Sequence, residues 1–168
     1  MTPNEEWGLV GKVAIVTGGG AAGDGIGNGR AAAILLARAG ANVLVVDRDL
    51  TLAERTVAMI ASEGGHGVAA SYDVTSSGQC AAMVEEAISR WGRLDCLDNN
   101  VGIGSKGTVV EESEENWARV MHVNVDSMFL ACKHAIPAMI RSAGWRADRK
   151  STRLNSSHIQ KSRMPSSA

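Results

Sequence analysis

Short apolar runs alternate with helix-like segments along most of the chain. The first run, Lys12 to Thr17, ends in a cluster of glycines, and the second, Asn42 to Val46, ends at Asp47. Unbroken aliphatic runs of this length are typical of strands that are buried on both faces of a parallel sheet. The same reasoning predicts a weaker strand from His66 to Tyr72 and a short one from Leu94 to Asp98.

The segments between these runs predict helices, because they are longer and mostly end near glycine. The predicted helices are 30–39, 50–63, 76–91, a short helical stretch at 113–117, and a long helix at about 118–142. Strands that alternate with helices imply right-handed βαβ units and a parallel sheet. We therefore expect an α/β fold with a doubly wound parallel sheet and the strand order 3-2-1-4.

Composition and charge exclude several classes of function. The chain is 45% hydrophobic with a formal net charge of −1, which gives no general attraction to nucleic acid or membrane. No apolar run reaches the about 18 residues of a spanning helix, and the polar segment 1–11 lacks the apolar stretch of a signal peptide. The three cysteines form no C-x-x-C pair and the histidines have no ligand spacing. We expect a cytoplasmic protein without a metal, nucleic-acid or membrane partner.

The segment 147–168 breaks the pattern. It is rich in Ser and Arg, has no apolar periodicity, and carries five basic residues against one acid. A disordered tail and a nucleic-acid-binding arm are two interpretations. A third is favoured, because codons that can encode Asp148 to His158 and Ser162 to Ala168 resemble two blocks of a widely used sequencing-library adapter. We expect a non-native tail that plays no part in function, and the rest of the chain is then more acidic.

A glycine-rich turn joins the first predicted strand to the first predicted helix. It runs from Thr17 to Arg30 with the sequence TGGGAAGDGIGNGR. Glycines let backbone N–H groups approach a pyrophosphate without obstruction by Cβ atoms, and the N-terminus of the next helix favours negative charge. Glycine also serves ordinary tight turns, but its place between a buried strand and an Ala-rich helix favours dinucleotide binding.

This turn resembles a lengthened version of the Thr-Gly-x-x-x-Gly-x-Gly signature of short-chain dehydrogenases/reductases. The resemblance implies a Rossmann-type sheet, truncated after about four strands, and a partial NAD(P)-binding domain at 12–146. The later glycines of the signature match in two registers, Gly25 with Gly27 or Gly27 with Gly29. The cofactor-binding candidates from the turn are Thr17, Gly18, Gly25, Ile26, Gly27 and Gly29.

Asp47, at the end of the second predicted strand, bears on the choice of cofactor. A carboxylate there can accept hydrogen bonds from the adenosine ribose and would repel a 2′-phosphate, which favours NAD over NADP. Its separation from the glycine turn exceeds the usual about 20 residues, as a lengthened turn requires. Arg48 could instead bind a 2′-phosphate, and Asp47 could be a solvated loop acid. The expected cofactor is NAD, with NADP as the alternative.

Two further segments are similar to motifs of the family. Asp73-Val74 matches a pair that contacts the adenine ring, although an Asp there could equally begin a helix. Asn99-Asn100-Val101-Gly102 resembles Asn-Asn-Ala-Gly, which stabilises the sheet and lines the cofactor site. Asp98 stands where a branched apolar residue is usual, and a carboxylate in a buried strand is costly unless paired. It is either a sequencing error or a true variant. The candidates here are Asp73, Val74, Asn99, Val101 and Gly102.

The long helix carries the last match. His122-Val123-Asn124-Val125 resembles the family's Asn-Val or Asn-Leu motif. The resemblance implies that Asn124 is catalytic, as the Asn whose backbone holds a water of the proton relay, and makes Val123 a cofactor-binding candidate. An apolar stripe on this helix predicts helical core or the dimer surface of the family. Its members are Met121, Val125, Met128, Cys132, Ala135 and Met139. An intact parent protein is expected to be a homo-oligomer.

The family's chemistry is hydride transfer between a nicotinamide and an alcohol or carbonyl carbon, with a Tyr as acid or base. The sequence contains no Tyr-x-x-x-Lys, and its one tyrosine, Tyr72, lies far upstream. We expect the intact parent to oxidise or reduce a small alcohol or ketone. The chain as written is expected to be inactive and to fold poorly, because its fourth strand would be an exposed edge. A non-catalytic dinucleotide-binding module is the alternative, and the substrate is not predicted.

Overall fold

The computed structural model describes residues 8–21 and 25–143. Most of the predicted N-terminal segment and the whole predicted tail lie outside these residues. In the part of the chain that is described, four strands form one parallel sheet: β1 (Val13–Thr17), β2 (Asn42–Asp47), β3 (His66–Ser71) and β4 (Cys96–Asn99). The strand order is β3-β2-β1-β4, which confirms the predicted α/β doubly wound topology.

Within the described ranges, five α-helices accompany the sheet: α1 (Asn28–Arg38), α2 (Leu50–Ser62), α3 (Ser77–Trp91), α4 (Glu114–Met121) and α5 (Ser127–Ser142). A π-helical segment, His122–Asp126, joins α4 to α5. The predicted short helical stretch at 113–117 is the beginning of α4, where the Ser113 hydroxyl accepts a hydrogen bond of 3.1 Å from the N–H of Asn116. The predicted long helix at about 118–142 is divided by the π-helical segment. None of the helices in the described ranges is long and apolar enough to cross a membrane.

Alternate side chains of the central strands enter two hydrophobic cores, one on each face of the sheet. One core contains Val13, Ile15, Leu44 and Val46 with Met83, Ala87, Ala131 and Ala135 of α3 and α5. The other contains Val16, Val43 and Val45 with Ala33, Ala37, Ala53 and Ile60 of α1 and α2. Every residue of β1 is buried, which confirms burial on both faces. Each large aliphatic side chain removed from water contributes roughly 1.5–3 kcal/mol, so the sheet centre anchors the domain.

β4 forms one edge of the described sheet, and its residues are only half-buried. Its ladder begins at Cys96, two residues later than predicted. Leu94 is fully buried, but its N–H donates to the hydroxyl of Ser142 at the end of α5 over 2.8 Å, outside the ladder. Burial raises the pKa of Asp98 within this strand, which agrees with the predicted cost of a carboxylate there.

The apolar stripe predicted along the last helix divides between core and surface. Ala135 is fully buried in α5, together with Ser127, Ala131 and Ala138. Met121, Val125 and Met128 are exposed. Three further exposed apolar side chains extend the surface part of the stripe: Phe129, Ile136 and Ile140. The buried face is made of small residues, which lets α5 pack closely against α3 and the sheet.

Candidate functional site

A pocket of about 530 Å³ lies at the carboxyl ends of β1, β2 and β3 and beside the segment that follows β4. Ligands of open parallel sheets bind at this edge, where successive connections leave a strand in opposite directions. That switch point here lies between β1 and β4. Within the described residues, no group of three His, Cys, Asp or Glu side chains could hold a metal ion.

Eight of the residues predicted from sequence line this pocket: Gly18, Asp47, Arg48, Asp73, Val74, Val101, Gly102 and Val123. Nine others line it as well: Gly20, Ala21, Val46, Asp49, Leu52, Tyr72, Thr75, Asn100 and Ile103. Seven predicted residues do not line it: Thr17, Gly25, Ile26, Gly27, Gly29, Asn99 and Asn124. The motifs at the ends of the four strands are thus brought together at one place.

The glycine turn and the first turn of α1 pack so closely that side chains are excluded. Gly18 has φ +64°, a conformation that favours glycine. A Cβ on Gly29 would lie 2.2 Å from the carbonyl oxygen of Gly18 and 2.4 Å from Nδ2 of Asn100. A Cβ on Gly25, by contrast, would meet no described atom within 4 Å. The close backbone approach therefore occurs at Gly18 and Gly29, and the N-cap between them is Gly27.

Thr17 and Asn100 connect the glycine turn to the end of β4. The buried Thr17 hydroxyl donates to the carbonyl of Asp98 over 3.1 Å and accepts from the N–H of Asn100 over 3.2 Å. Nδ2 of Asn100 donates to the Gly18 carbonyl over 3.2 Å. Asn99 is directed to the other side, where Nδ2 lies 3.4 Å from Sγ of Cys132. Successive side chains of a strand point to opposite faces, and the Asn-Asn pair gives no sign of which one faces the pocket.

Asp47 combines a structural contact with a place in the pocket. Its Oδ2 accepts from the N–H of Gly20 and its Oδ1 from the N–H of Asp49, each over 3.1 Å. A carboxylate can accept about four hydrogen bonds, so both oxygens retain capacity for a ligand. Arg48 follows it on the same rim. A carboxylate that can accept from hydroxyl groups thus stands next to a cation that can bind a phosphate.

Asp73 forms a local turn between β3 and α3. Its Oδ1 accepts from the hydroxyl of Thr75 over 2.7 Å and from the N–H of Thr75 over 2.9 Å. These two hydrogen bonds lower the pKa of Asp73, so the carboxylate is held in its charged form. Val74 beside it is nearly buried and presents an apolar surface to the pocket.

Asn124 lies in the π-helical segment, behind the pocket wall. Its Nδ2 donates to the carbonyl of Ile103 over 2.9 Å, and its Oδ1 accepts from the N–H of Ile103 over 2.8 Å. π-helical turns are rare and often occur at functional sites. The neighbouring Val123 lines the pocket, so the segment presents one residue to the cavity and fixes the loop after β4 with the next.

The sequence and the fold of this chain were compared with known proteins. The family model described as short chain dehydrogenase matches residues 12–146. The chain is 37% identical over 147 residues to the short chain dehydrogenase/reductase astE of Aspergillus oryzae, which covers 86% of this chain and 54% of that protein. It is 37% identical over 134 residues to a cyclohexanol dehydrogenase of Acinetobacter sp., covering 79% of this chain and 51% of that one.

A solved structure shares the fold. The hydroxysteroid dehydrogenase from Escherichia coli superposes with a TM-score of 0.71 at 34% identity, over 79% of this chain and 54% of that chain. The chain thus spans about half the length of the relatives it matches. From the extent of the family match, the converging motifs and the shared sheet topology, the chain belongs to the short-chain dehydrogenase/reductase family.

Proposed function

We propose that this chain is the cofactor-binding part of an NAD-dependent oxidoreductase that interconverts a small alcohol and its ketone. The observation that carries the proposal is the convergence of Gly18, Asp47 and Asp73 on one pocket at the switch point of the sheet. Members of the family generally bind NAD or NADP. The relatives include proteins named cyclohexanol dehydrogenase and cyclopentanol dehydrogenase, which supports a small neutral alcohol as substrate.

The residues present fit a dinucleotide. The backbone at Gly18 and Gly29 approaches too closely for a Cβ, as expected where main-chain N–H groups must reach a pyrophosphate. Asp47 would accept hydrogen bonds from the adenosine ribose, and Asp73 with Val74 would flank the adenine. Val101, Gly102 and Val123 would border the other half of the cofactor. When bound, the nicotinamide would supply the carbon that accepts or gives the hydride.

Asn124 would serve the reaction by position. Its side chain is engaged by Ile103, so any direct part in proton transfer falls to its backbone, as the family resemblance implies. The two hydrogen bonds of this amide hold the π-helical segment and the loop after β4 together beside the pocket. The neutral Asn can supply both a donor and an acceptor to one peptide unit, which Asp cannot do in its charged form.

We also propose that the intact protein is a homo-oligomer that associates through α5. The support is a row of exposed apolar side chains along one face of this helix and the π-helical segment before it: Val125, Met128, Phe129, Ile136 and Ile140. Phe129 is 64% exposed. Contiguous apolar surface of this kind is typical of interaction sites.

The proposed cofactor site is tested by titrating the 168-residue chain with NAD in a calorimeter. We expect saturable binding that is weakened at least about tenfold by Gly18→Ala, because the new Cβ would crowd Val101 and strain a left-handed residue. Gly64→Ala is the matched control, since Gly64 also has positive φ but has no described atom near its Cβ position. Absence of NAD binding by the folded chain, or equal affinities of the two variants, would overturn the proposal.

A further inference from the structure

Arg30 is the one charged side chain among the buried residues of the described ranges, with 3% of its surface exposed. Its guanidinium lies under the glycine turn and makes three hydrogen bonds. Nη1 donates to the carbonyl of Gly25 over 2.7 Å, and Nη2 donates to the carbonyl of Ala21 over 3.3 Å. Nε donates to the hydroxyl of Thr56 over 3.1 Å. One side chain therefore joins the outgoing and the returning limbs of the lengthened turn.

Thr56 extends this arrangement to a third point of the turn. It is fully buried in α2, and its hydroxyl donates to the carbonyl of Gly19 over 2.8 Å while it accepts from Arg30. We call these two residues the Arg30–Thr56 clamp. It holds the carbonyl groups of Gly19, Ala21 and Gly25 and connects them to α1 and α2.

The chemistry of the clamp suits this task. Burying a guanidinium is costly unless its donors are satisfied, and its flat fork can reach several carbonyl groups at once, which a lysine ammonium does less well. The carbonyl and the following N–H of a trans peptide point in opposite directions. Because the Gly25 carbonyl is turned toward Arg30, the N–H of Ile26 is turned away from the clamp. Holding the Gly25 carbonyl beneath the turn thus leaves the N–H of Ile26 facing outward, while the N–H of Gly20, which follows the Gly19 carbonyl, is held by Asp47.

We propose that Arg30 and Thr56 are positioning residues of the pyrophosphate subsite. They fix the described backbone on either side of the turn, at Gly19, Ala21 and Gly25, and so affect affinity for the diphosphate of the cofactor without touching it. This inference rests on the proposed function, because it assumes that the pocket takes a dinucleotide. The adenine contact proposed for Asp73 does not pass through the clamp, whereas Asp47 binds the N–H of the peptide whose carbonyl is held by Thr56. Arg30→Met leaves that Thr56 hydrogen bond in place, so this variant separates the two halves of the site.

The test compares three ligands on the 168-residue chain: NAD, ADP-ribose and adenosine. Arg30→Met removes the three hydrogen bonds but keeps an apolar stem, and Thr56→Val removes only the hydroxyl. We expect each to weaken NAD and ADP-ribose by about tenfold. Arg30→Met should keep the affinity for adenosine within about twofold of its original value, because the Thr56 hydrogen bond to Gly19 stays in place. Arg38→Met is the matched control on the same helix, since Arg38 is exposed and pairs with Glu63. It is expected to change none of the three affinities.

Amide hydrogen exchange adds a readout on the chain without ligand. Arg30→Met should speed exchange at Gly19 and Gly20, whose N–H groups are hydrogen-bonded to Val46 and Asp47, while the amides of α3 keep their rates. Thr56→Val preserves two of the three Arg30 hydrogen bonds, so it keeps the test valid if Arg30→Met fails to fold. The double variant should lose little more affinity for NAD than Arg30→Met alone, because the two residues act as one unit.

Three results would overturn the assignment. Equal losses for adenosine and NAD would mean a general structural role, and unchanged NAD affinity in both variants would mean no role in the site. If the unmodified chain binds adenosine but neither NAD nor ADP-ribose, the proposed function fails and this inference fails with it. If the unmodified chain binds NAD and neither variant changes that affinity, only the positioning role of Arg30 and Thr56 is wrong. The two failures are therefore distinguishable.

Discussion

The side-chain amide of Asn124 and the peptide groups of Ile103 bind each other in both directions, with hydrogen bonds of 2.8 and 2.9 Å. The pair joins the π-helical segment to the loop after β4. Both segments contribute to the pocket, through Val123 and through Ile103 itself. A local change at Asn124 should therefore alter the wall of the site as well as stability.

Replacing Asn124 by Leu keeps a similar volume and removes both hydrogen bonds. We expect the free energy of unfolding to fall by about 1–3 kcal/mol, because the peptide groups of Ile103 lose their partners in a half-buried place. Urea titration gives the loss, and exchange of the Ile103 amide locates it. Asp126→Ala is the control in the same segment, since Asp126 is exposed and pairs only with the imidazole of His122 in the described structure. If Asn124→Leu unfolds at the same urea concentration as the parent, the pair has no structural role.

The two registers of the glycine turn can be separated by one added methyl group. Gly29→Ala would force its Cβ against the Gly18 carbonyl, and overpacking of this kind costs about 1–3 kcal/mol. Gly25→Ala should be nearly neutral, because no described atom lies within 4 Å of its Cβ position. Equilibrium unfolding of both variants measures the difference. A Gly25 variant that is as unstable as the Gly29 variant would contradict the assignment of the close approach to Gly29.

The sheet and its strand order follow from sequence for a simple physical reason. Runs such as Val13 to Val16 must be buried on both faces, and the right-handed βαβ rule then leaves few topologies. The start of α1 was predicted two residues late, at Arg30 instead of Asn28. Glycine and asparagine are typical turn residues, but here the helix begins among them, with Gly27 at its N-cap.

The finer features of the site depend on contacts between residues distant in sequence. Arg30 and Thr56 are 26 positions apart, and neither has a local pattern that indicates a shared task. Asn100 lines the pocket but was not predicted to do so. It follows Asn99, and the sequence does not show which of the two side chains faces the pocket at the end of the strand. Asp47, by contrast, could be predicted, since its place at the end of a buried strand already fixes its edge of the sheet.

Asp98 and Asp95 should give opposite pH signatures. Burial raises the pKa of Asp98, so the folded chain holds this proton more tightly than the unfolded chain. Its contribution to stability is therefore best at low pH and declines as pH rises through the folded-state pKa. Burial also acts on Asp95, but hydrogen bonds from Arg93 and from the N–H of Val13 outweigh it and lower the pKa. Its contribution is present above the unfolded-state pKa and is lost as pH falls.

Replacing each of these two aspartates by asparagine tests the opposite pH dependence of their contributions to stability. Asp98→Asn should raise the free energy of unfolding at pH 7 by less than about 1 kcal/mol, because the half-exposed carboxylate keeps part of its hydration. The gain should shrink as pH falls toward about 4. Asp95→Asn should lower stability at pH 7, and that loss should shrink on acidification. Urea titrations across this range measure both. Parallel pH profiles for the two variants would show that the environments of these carboxylates do not differ as described.

Association through α5 predicts a mass change. Phe129→Glu places a charge in the exposed apolar row of this helix, and burying an unpaired charge in an interface is strongly unfavourable. We expect sedimentation equilibrium to give a multiple of 17.6 kDa for the unsubstituted 168-residue chain and the monomer mass of about 17.6 kDa for the variant. Met59→Glu introduces the same charge at an exposed apolar residue of α2, on the other face of the sheet, and should leave the mass unchanged. If the unsubstituted chain sediments as a monomer, the prediction is wrong.

Asp47 should decide between NAD and NADP. The carboxylate lies on the pocket rim beside Arg48 and would face the 2′ position of the adenosine ribose, where it repels a phosphate. Asp47→Asn keeps an oxygen acceptor for the N–H of Gly20 but removes the charge, so the preference for NAD over NADP should fall by about tenfold or more. Asp49→Asn is the control, because it removes the same charge from a carboxylate that also lines the pocket but accepts from the N–H of Thr51 at the start of α2.

Competition titrations with both dinucleotides measure the ratio of NAD to NADP affinity for each variant. An unchanged ratio in Asp47→Asn, or an equal change in Asp49→Asn, would mean that Asp47 does not meet the ribose and that its task is confined to holding the glycine turn.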